Sequence, residues 1–145
     1  RIDYIIDQAD IELADQQAQN AVKILEDALL INPQNQTLKM YAAKAAIKAQ
    51  AYTQAIQWLS SLSYERANDP EVWQSLVECY QAQKEGLQLL RARAEFAFLL
   101  GSYDKAISDL EQAKKLATNN YPLLAKIKQR QLVFEQTKEV SKKIK

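Results

Sequence analysis

Small and apolar residues recur at a fixed interval of about 34 residues in the first half of this chain. Ala21 is followed one interval later by Ala55, and Leu25 is followed by Leu59. Because residues four apart lie on one face of a helix, these pairs mark equivalent buried stripes on two equivalent helices. The fixed interval therefore predicts a repeat array of helices. The same interval relates Ala28 to Leu62 and Ala9 to Ala43.

Two further signatures continue the array but differ in phase. One begins near residue 70 and includes Trp73, and the other runs from Gly101 to Ala106. Counting back from Ala106 starts a unit near residue 87, which is only half an interval after residue 70. We therefore predict overlapping repeats in which half a unit has been lost or overwritten. The predicted bounds are 2–35, 36–69, 70–100 and 87–120, followed by a capping helix over 121–142.

Local signals predict helices throughout the chain. Glycine (2 residues) and proline (3 residues) are scarce, which disfavours a sheet-rich fold. Asn32-Pro33 and Asp69-Pro70 mark helix boundaries, because proline cannot continue a helix but suits its first turn. We expect an all-α fold, a right-handed α-solenoid of antiparallel helix hairpins that forms a single domain over 1–145. The predicted helices are 2–14, 17–31, 35–49, 52–66, 70–83, 86–100, 103–117 and 121–142.

The composition argues against catalysis by this chain. It contains 0 histidines, which removes the commonest general base and the commonest zinc ligand. Its 2 glycines do not form a phosphate-binding loop. The lone cysteine, Cys79, is predicted to be a small buried apolar residue rather than a reactive thiol. We expect no catalytic residue, no metal site and no cofactor here.

Charge is distributed unevenly along the chain, although the net charge is +1. Residues 1–31 contain seven acids and two bases, whereas residues 123–145 contain seven bases and two acids. The basic end is predicted to be a solubilising cap rather than a nucleic-acid surface, because it lacks interleaved aromatic residues. No apolar run approaches the roughly 20 residues that a membrane span needs.

Three carboxylates, Asp3, Asp7 and Asp10, share one face of the first predicted helix. Such a group can hold a divalent cation. A solvated acidic stripe is the better prediction, because acidic residues suit the start of a helix.

The quoted residues resemble the tetratricopeptide repeat. That family has Trp, Leu and Tyr on the first helix of a repeat, a Gly-Tyr turn, and small and large apolar residues on the second helix. Each unit here departs from the pattern somewhere, for example with Ala51-Tyr52 at one turn and Arg93 in place of a large apolar residue. The resemblance covers residues 2–117 and implies a protein-binding module. Matching residues are Ala55, Leu59, Trp73, Leu76, Tyr80, Gly101, Tyr103, Ala106, Leu110 and Ala113.

The second half of the chain resembles, more narrowly, the helical tail of bacterial periplasmic zinc metalloproteases of the BepA type. The matching segments are 69–73, 90–96, 100–107 and 115–117. The resemblance implies a non-catalytic tail that contacts its own protease domain and outer-membrane assembly partners in the periplasm. It implies zinc only in a protease domain, whose HExxH motif is absent here. Because the first residue is Arg1, we expect a fragment of a longer protein.

The resemblance to the tetratricopeptide repeat also assigns a groove for partner segments, lined by the first helix of each repeat. It mixes charged and apolar side chains, as an adaptable binding surface does. The assigned residues are Asp3, Ile6, Asp10, Leu13, Met40, Lys44, Ile47, Lys48, Gln74, Glu78, Gln81, Arg91, Glu95 and Phe98.

An alternative is a general tetratricopeptide scaffold, such as a cytoplasmic chaperone adaptor. Adaptors of that kind hold a C-terminal carboxylate with Lys, Asn and Arg on groove positions. Lys44 and Lys48 supply a pair of cations for this role, but a matching Asn is missing, so we rank it second.

Overall fold

The chain is all-helical in the computed structural model, which describes residues 1–144. This range contains eight helices and no strand. Each predicted helix is present, and no end differs from the prediction by more than two residues, so the all-α class is confirmed. The helices are α1 (Ile2–Ala14), α2 (Ala18–Ile31), α3 (Gln36–Lys48), α4 (Tyr52–Glu65), α5 (Pro70–Ala82), α6 (Gly86–Leu99), α7 (Tyr103–Leu116) and α8 (Tyr121–Ile144).

The helices form two compact units. The first, Arg1–Ala67, contains α1 to α4, and the second begins at Asn68 and contains α5 to α8. Within each unit, every helix packs against the next one in the chain, and α1 also contacts α3. Short loops force such neighbours to run antiparallel. The assignment of both units to one domain over 1–145 stays a prediction.

Four of the turns between helices share one backbone geometry. Each contains a residue with φ near +60° to +80°: Gln16 (61°), Gln50 (60°), Lys84 (58°) and Gly101 (81°). In each turn the next residue donates its N–H to the carbonyl five residues earlier, as Ser102 does to Ala97 at 2.9 Å. This left-handed closure satisfies carbonyls at the end of the preceding helix.

The spacing of these four turns can be compared with the predicted half-unit shift between the last two repeats. They fall at positions 16, 50, 84 and 101, so the first two intervals are equal and the last is half as long. A turn of this kind therefore precedes helix α6, and another one follows it. It is the second helix of the α5–α6 hairpin and the first helix of the α6–α7 hairpin. The overlapping repeats stay a prediction, but this geometry is what such an overlap requires.

The other connections start the next helix with a side-chain cap. Asn35 accepts a hydrogen bond from the Leu38 N–H at 2.9 Å, and Asp69 accepts one from the Glu71 N–H at 3.0 Å. Asn120 does the same for the Leu123 N–H at 3.2 Å. Caps of this type satisfy N–H groups that have no partner within the helix.

The buried helix stripes predicted from the sequence contribute to the cores of the two units. The predicted small and apolar positions of α2, α4 and α7 are all buried, and so is Cys79. On α8, Ile127 and Phe134 are buried, and Leu124 packs against the same cluster. Trp73 is only half-buried, whereas the core residues are fully buried. The buried positions are Ala21, Leu25, Ala28, Ala55, Leu59, Leu62, Ala106, Leu110 and Ala113.

Candidate partner-binding surfaces

Helix α3 presents a narrow exposed strip. Its exposed residues are Thr37, Lys44 and Lys48, and the remaining positions of the helix are buried or half-buried. The spacings of seven and four place the three side chains on one line along the helix. Of the groove residues assigned to α3, Lys44 and Lys48 lie in this α3 strip and Ile47 borders it. Met40 does not, because it is buried in the core.

Helix α1 brings two of its assigned residues to the surface. Asp3 and Asp10 are exposed, and Leu13 is half-buried. Ile6 is 9% exposed and belongs to the core of the first unit. For Ile6, as for Met40, a neighbouring helix covers a position that the family pattern counts as groove. Both are therefore packing residues rather than contact residues.

Helix α5 presents a polar strip in the second unit. Gln74, Glu78 and Gln81 are exposed, as the groove assignment requires, and Glu71 joins them. The opposite side of the helix is buried in the core. The α5 strip therefore offers carboxylate and amide groups, whereas the α3 strip offers ammonium groups. The buried residues of α5 are Val72, Leu76 and Cys79.

Two of the three assigned residues of α6 are engaged by α8. Arg130 donates two hydrogen bonds to the Glu95 carboxylate, at 2.7 and 2.8 Å. The Phe98 ring stacks on the Phe134 ring with 4.2 Å between centroids and 14° between planes. Glu95 and Phe98 are thus covered from within the chain. Arg91, the third assigned residue, is half-buried and donates a hydrogen bond to Gln88 at 3.2 Å.

Sequence reasoning missed three residues of these surfaces. Thr37 and Glu71 lie on the exposed strips of α3 and α5, and helical spacing from Lys44 and Glu78 would have found them. Arg130 was counted only as one of the bases of residues 123–145, and no contact was predicted for it. Its pairing with Glu95, 35 residues away, has no local signal.

A buried cation fixes α3 against α4. Lys39 is 6% exposed, and its Nζ donates to Ser61 Oγ at 2.9 Å and to Glu65 Oε1 at 2.7 Å. The hydrogen bond from Lys39, with a second from Ser61, lowers the pKa of Glu65 below its ordinary value of 4.5. This network holds the helix that carries the α3 strip, since a buried ammonium is tolerated only when it is paired.

The exposed strips offer ammonium, carboxylate and amide groups that can bind a partner. Within that range no three His, Cys, Asp or Glu side chains are grouped as metal ligands would be. Burial raises the pKa of the Cys79 thiol to about 11, so this thiol is a poor nucleophile. No described helix is long and apolar enough to cross a membrane.

The segment that holds the α3 strip matches a known family. Residues 12–79 match the model of the family described as tetratricopeptide repeat. This segment, slightly less than half of the chain, is similar to the tetratricopeptide repeat. It takes in α2, α3 and α4 and most of α5. No curated protein matches the chain.

Tetratricopeptide repeats bind proteins and peptides and are typically non-catalytic. The α3 strip lies within the matched segment, and so does the α5 strip except for Gln81. The similarity of residues 12–79 to such repeats makes the exposed first-helix residues candidate contacts for a protein or peptide.

Proposed function

We propose that this chain is the non-catalytic tail of a periplasmic zinc metalloprotease. In this role it binds client proteins or outer-membrane assembly partners and docks on its own protease domain. The family match supports protein binding, and the resemblance of the second half to BepA-type tails supports the narrower role. Zinc would belong to the protease domain alone.

The observation that carries the binding role is the α3 strip. Lys44 and Lys48 are exposed one turn apart on a helix that is otherwise buried or half-buried, apart from Thr37. Because the buried Lys39 network fixes this helix, the two ammonium groups are presented on a rigid support. Rigid presentation lowers the entropy lost on binding.

A pull-down from bacterial envelope extract tests the proposal, with the 145-residue chain as bait. We expect the bait to recover outer-membrane assembly proteins. A bait with Lys44→Glu and Lys48→Glu should lose them. A matched control, Lys115→Glu with Lys126→Glu, makes the same charge change at exposed positions of α7 and α8 and should retain them.

Two outcomes would contradict the proposal. Capture of cytosolic proteins alone would contradict the periplasmic location. Equal capture by both charge variants would contradict the role of the α3 strip. The protease assignment has a separate test, because the parent gene should encode an HExxH motif upstream of Arg1.

The alternative role, a chaperone adaptor, is supported by the same two lysines. Their ammonium groups lie on one strip, as a clamp for a C-terminal carboxylate requires. Peptides with free and amidated C-termini separate the two roles. An adaptor would bind the free acid and lose affinity for the amide, whereas a surface for internal client segments would bind both equally.

A further inference from the structure

The two first helices of the first unit, α1 and α3, present equivalent surfaces. Each exposed member of the α3 strip has an exposed residue 34 positions earlier on α1. Two pairs beside the strips agree as well, because Ile6 and Met40 are both buried and Leu13 and Ile47 are both half-buried. The exposed counterparts on α1, which we call the α1 strip, are Asp3, Asp10 and Ala14.

The α1 and α3 strips lie on neighbouring helices of the same unit. Helices α1 and α3 both pack against α2, and they also contact each other. Because short loops make α2 antiparallel to each of them, α1 and α3 run in the same direction. The left-handed turns that follow them, at Gln16 and Gln50, have φ of 61° and 60°. The equal turns and equal exposure therefore place Asp10 on α1 at the level of Lys44 on α3.

The two strips carry opposite charges. Helix α1 contains four acids and no base, and α3 contains three lysines and no acid. Lys39 is buried against α4, whereas Lys44 and Lys48 are exposed. Asp7, one turn after Asp3, is also exposed and adds to the negative charge of α1. A partner that crosses both strips therefore meets carboxylates on one helix and ammonium groups on the next.

We propose that the two strips together bind a protein segment that carries both charges. A cationic side chain of the segment contacts Asp3 and Asp10, and an anionic side chain contacts Lys44 and Lys48. This inference rests on the proposed binding role of the α3 strip and extends the site to α1, most of which lies outside the matched segment 12–79.

The spacing of the two helices sets the spacing of the charges in the partner. Packed helices lie about 8–10 Å apart, and an extended chain advances about 3.3 Å per residue. The cation and the anion should therefore be about three residues apart in an extended segment that crosses the helices. A uniformly acidic segment would meet the carboxylates of α1, and a uniformly basic one would meet the ammonium groups of α3. Such like-charge contacts suppress the wrong partner, so the surface selects a segment with both signs.

Selection from a library of short random peptides gives the first test, with the 145-residue chain as bait. The peptides are displayed as internal segments, so that no free C-terminus is offered. Enriched sequences should contain a base and an acid about two to four positions apart more often than the unselected library does. Enrichment of uniformly acidic sequences, enrichment without this pairing, or no enrichment at all would overturn the proposal.

Removing the charges of one helix at a time tests both strips with one enriched peptide, whose affinity is measured by fluorescence anisotropy. Asp3→Asn with Asp10→Asn should weaken binding about tenfold or more, because the cation of the peptide loses its carboxylates. A matched control, Glu135→Gln with Glu139→Gln, removes two exposed acids of α8 and should leave binding unchanged.

The variant Lys44→Glu with Lys48→Glu separates this inference from the proposed function. If that variant loses the peptide while the Asp3 and Asp10 variant keeps it, the α3 strip binds alone and the inference is wrong. If both variants keep the peptide, the proposed role of the α3 strip is wrong as well.

A charge exchange tests where the cation of the peptide lies. Replacing the base of the enriched peptide with glutamate should weaken its binding to the native chain about tenfold or more. Asp3→Lys with Asp10→Lys should restore the binding of this altered peptide. Circular dichroism checks that the variants remain helical, which is expected because the changed side chains are exposed. Failure to restore binding, with helicity intact, would overturn the placement of the cation on α1.

Discussion

Arg130 on α8 holds the Glu95 carboxylate of α6 with two hydrogen bonds, from Nε at 2.7 Å and from Nη2 at 2.8 Å. The guanidinium carbon also lies 4.9 Å from the centroid of the Phe134 ring and 5.4 Å from that of Phe98. One side chain thus joins an ion pair to an aromatic stack. This cluster stabilises the packing of α8 against α6, although the two helices are not consecutive in the chain.

Replacing Arg130 with alanine should therefore destabilise the second unit. The change removes a bidentate ion pair and leaves Glu95 partly buried without its cation, at a cost of about 1–3 kcal/mol. Urea unfolding followed by circular dichroism measures the loss. Lys126→Ala, an exposed change on the same helix, should cost less than about 0.5 kcal/mol. Equal effects of the two variants would contradict the role of the cluster.

Stability should depend on pH through Glu65. Hydrogen bonds from Lys39 and Ser61 lower the pKa of Glu65 in the folded chain, so its contribution is present above the ordinary value of 4.5. That contribution is lost as pH falls below 4.5 and through the lowered folded value. Unfolding midpoints of Glu65→Gln should change less with pH in this acid range than those of the native chain. Identical pH profiles would contradict the prediction.

Gln50→Gly should stabilise the α3–α4 turn. Gln50 has φ +60°, a conformation that glycine adopts without strain, and the corresponding turn at 101 already has glycine. The expected gain is up to about 1 kcal/mol. Gln57→Gly, at an exposed position inside α4, should instead cost about 1 kcal/mol. Thermal unfolding of both variants checks the opposite signs.

Cys79 should react slowly in the folded chain. The thiol is buried, and burial raises its pKa to about 11, so the thiolate is scarce at neutral pH. Alkylation by iodoacetamide under mildly alkaline conditions should be at least about tenfold faster in denaturant than in buffer. Equal rates would show that the thiol is accessible in the folded chain.

The helices and their buried stripes could be read from the sequence because their causes are local. Ala21, Leu25 and Ala28 lie one and two turns apart, and the cap at Asp69 and the left-handed Gly101 mark helix ends by their own chemistry. These signals need no knowledge of the neighbouring helices. They predicted every helix to within two residues at each end.

Which first-helix residues remain exposed was decided only by tertiary packing. Ile6 and Met40 match groove positions of the repeat pattern, yet neighbouring helices bury them. Glu95 and Phe98 match it too, yet α8 covers them through an ion pair and an aromatic stack. Burial depends on which helix packs alongside, and that helix comes from a distant part of the chain. Helical periodicity fixes the direction of a side chain on its own helix, but only the assembled unit determines what lies opposite it.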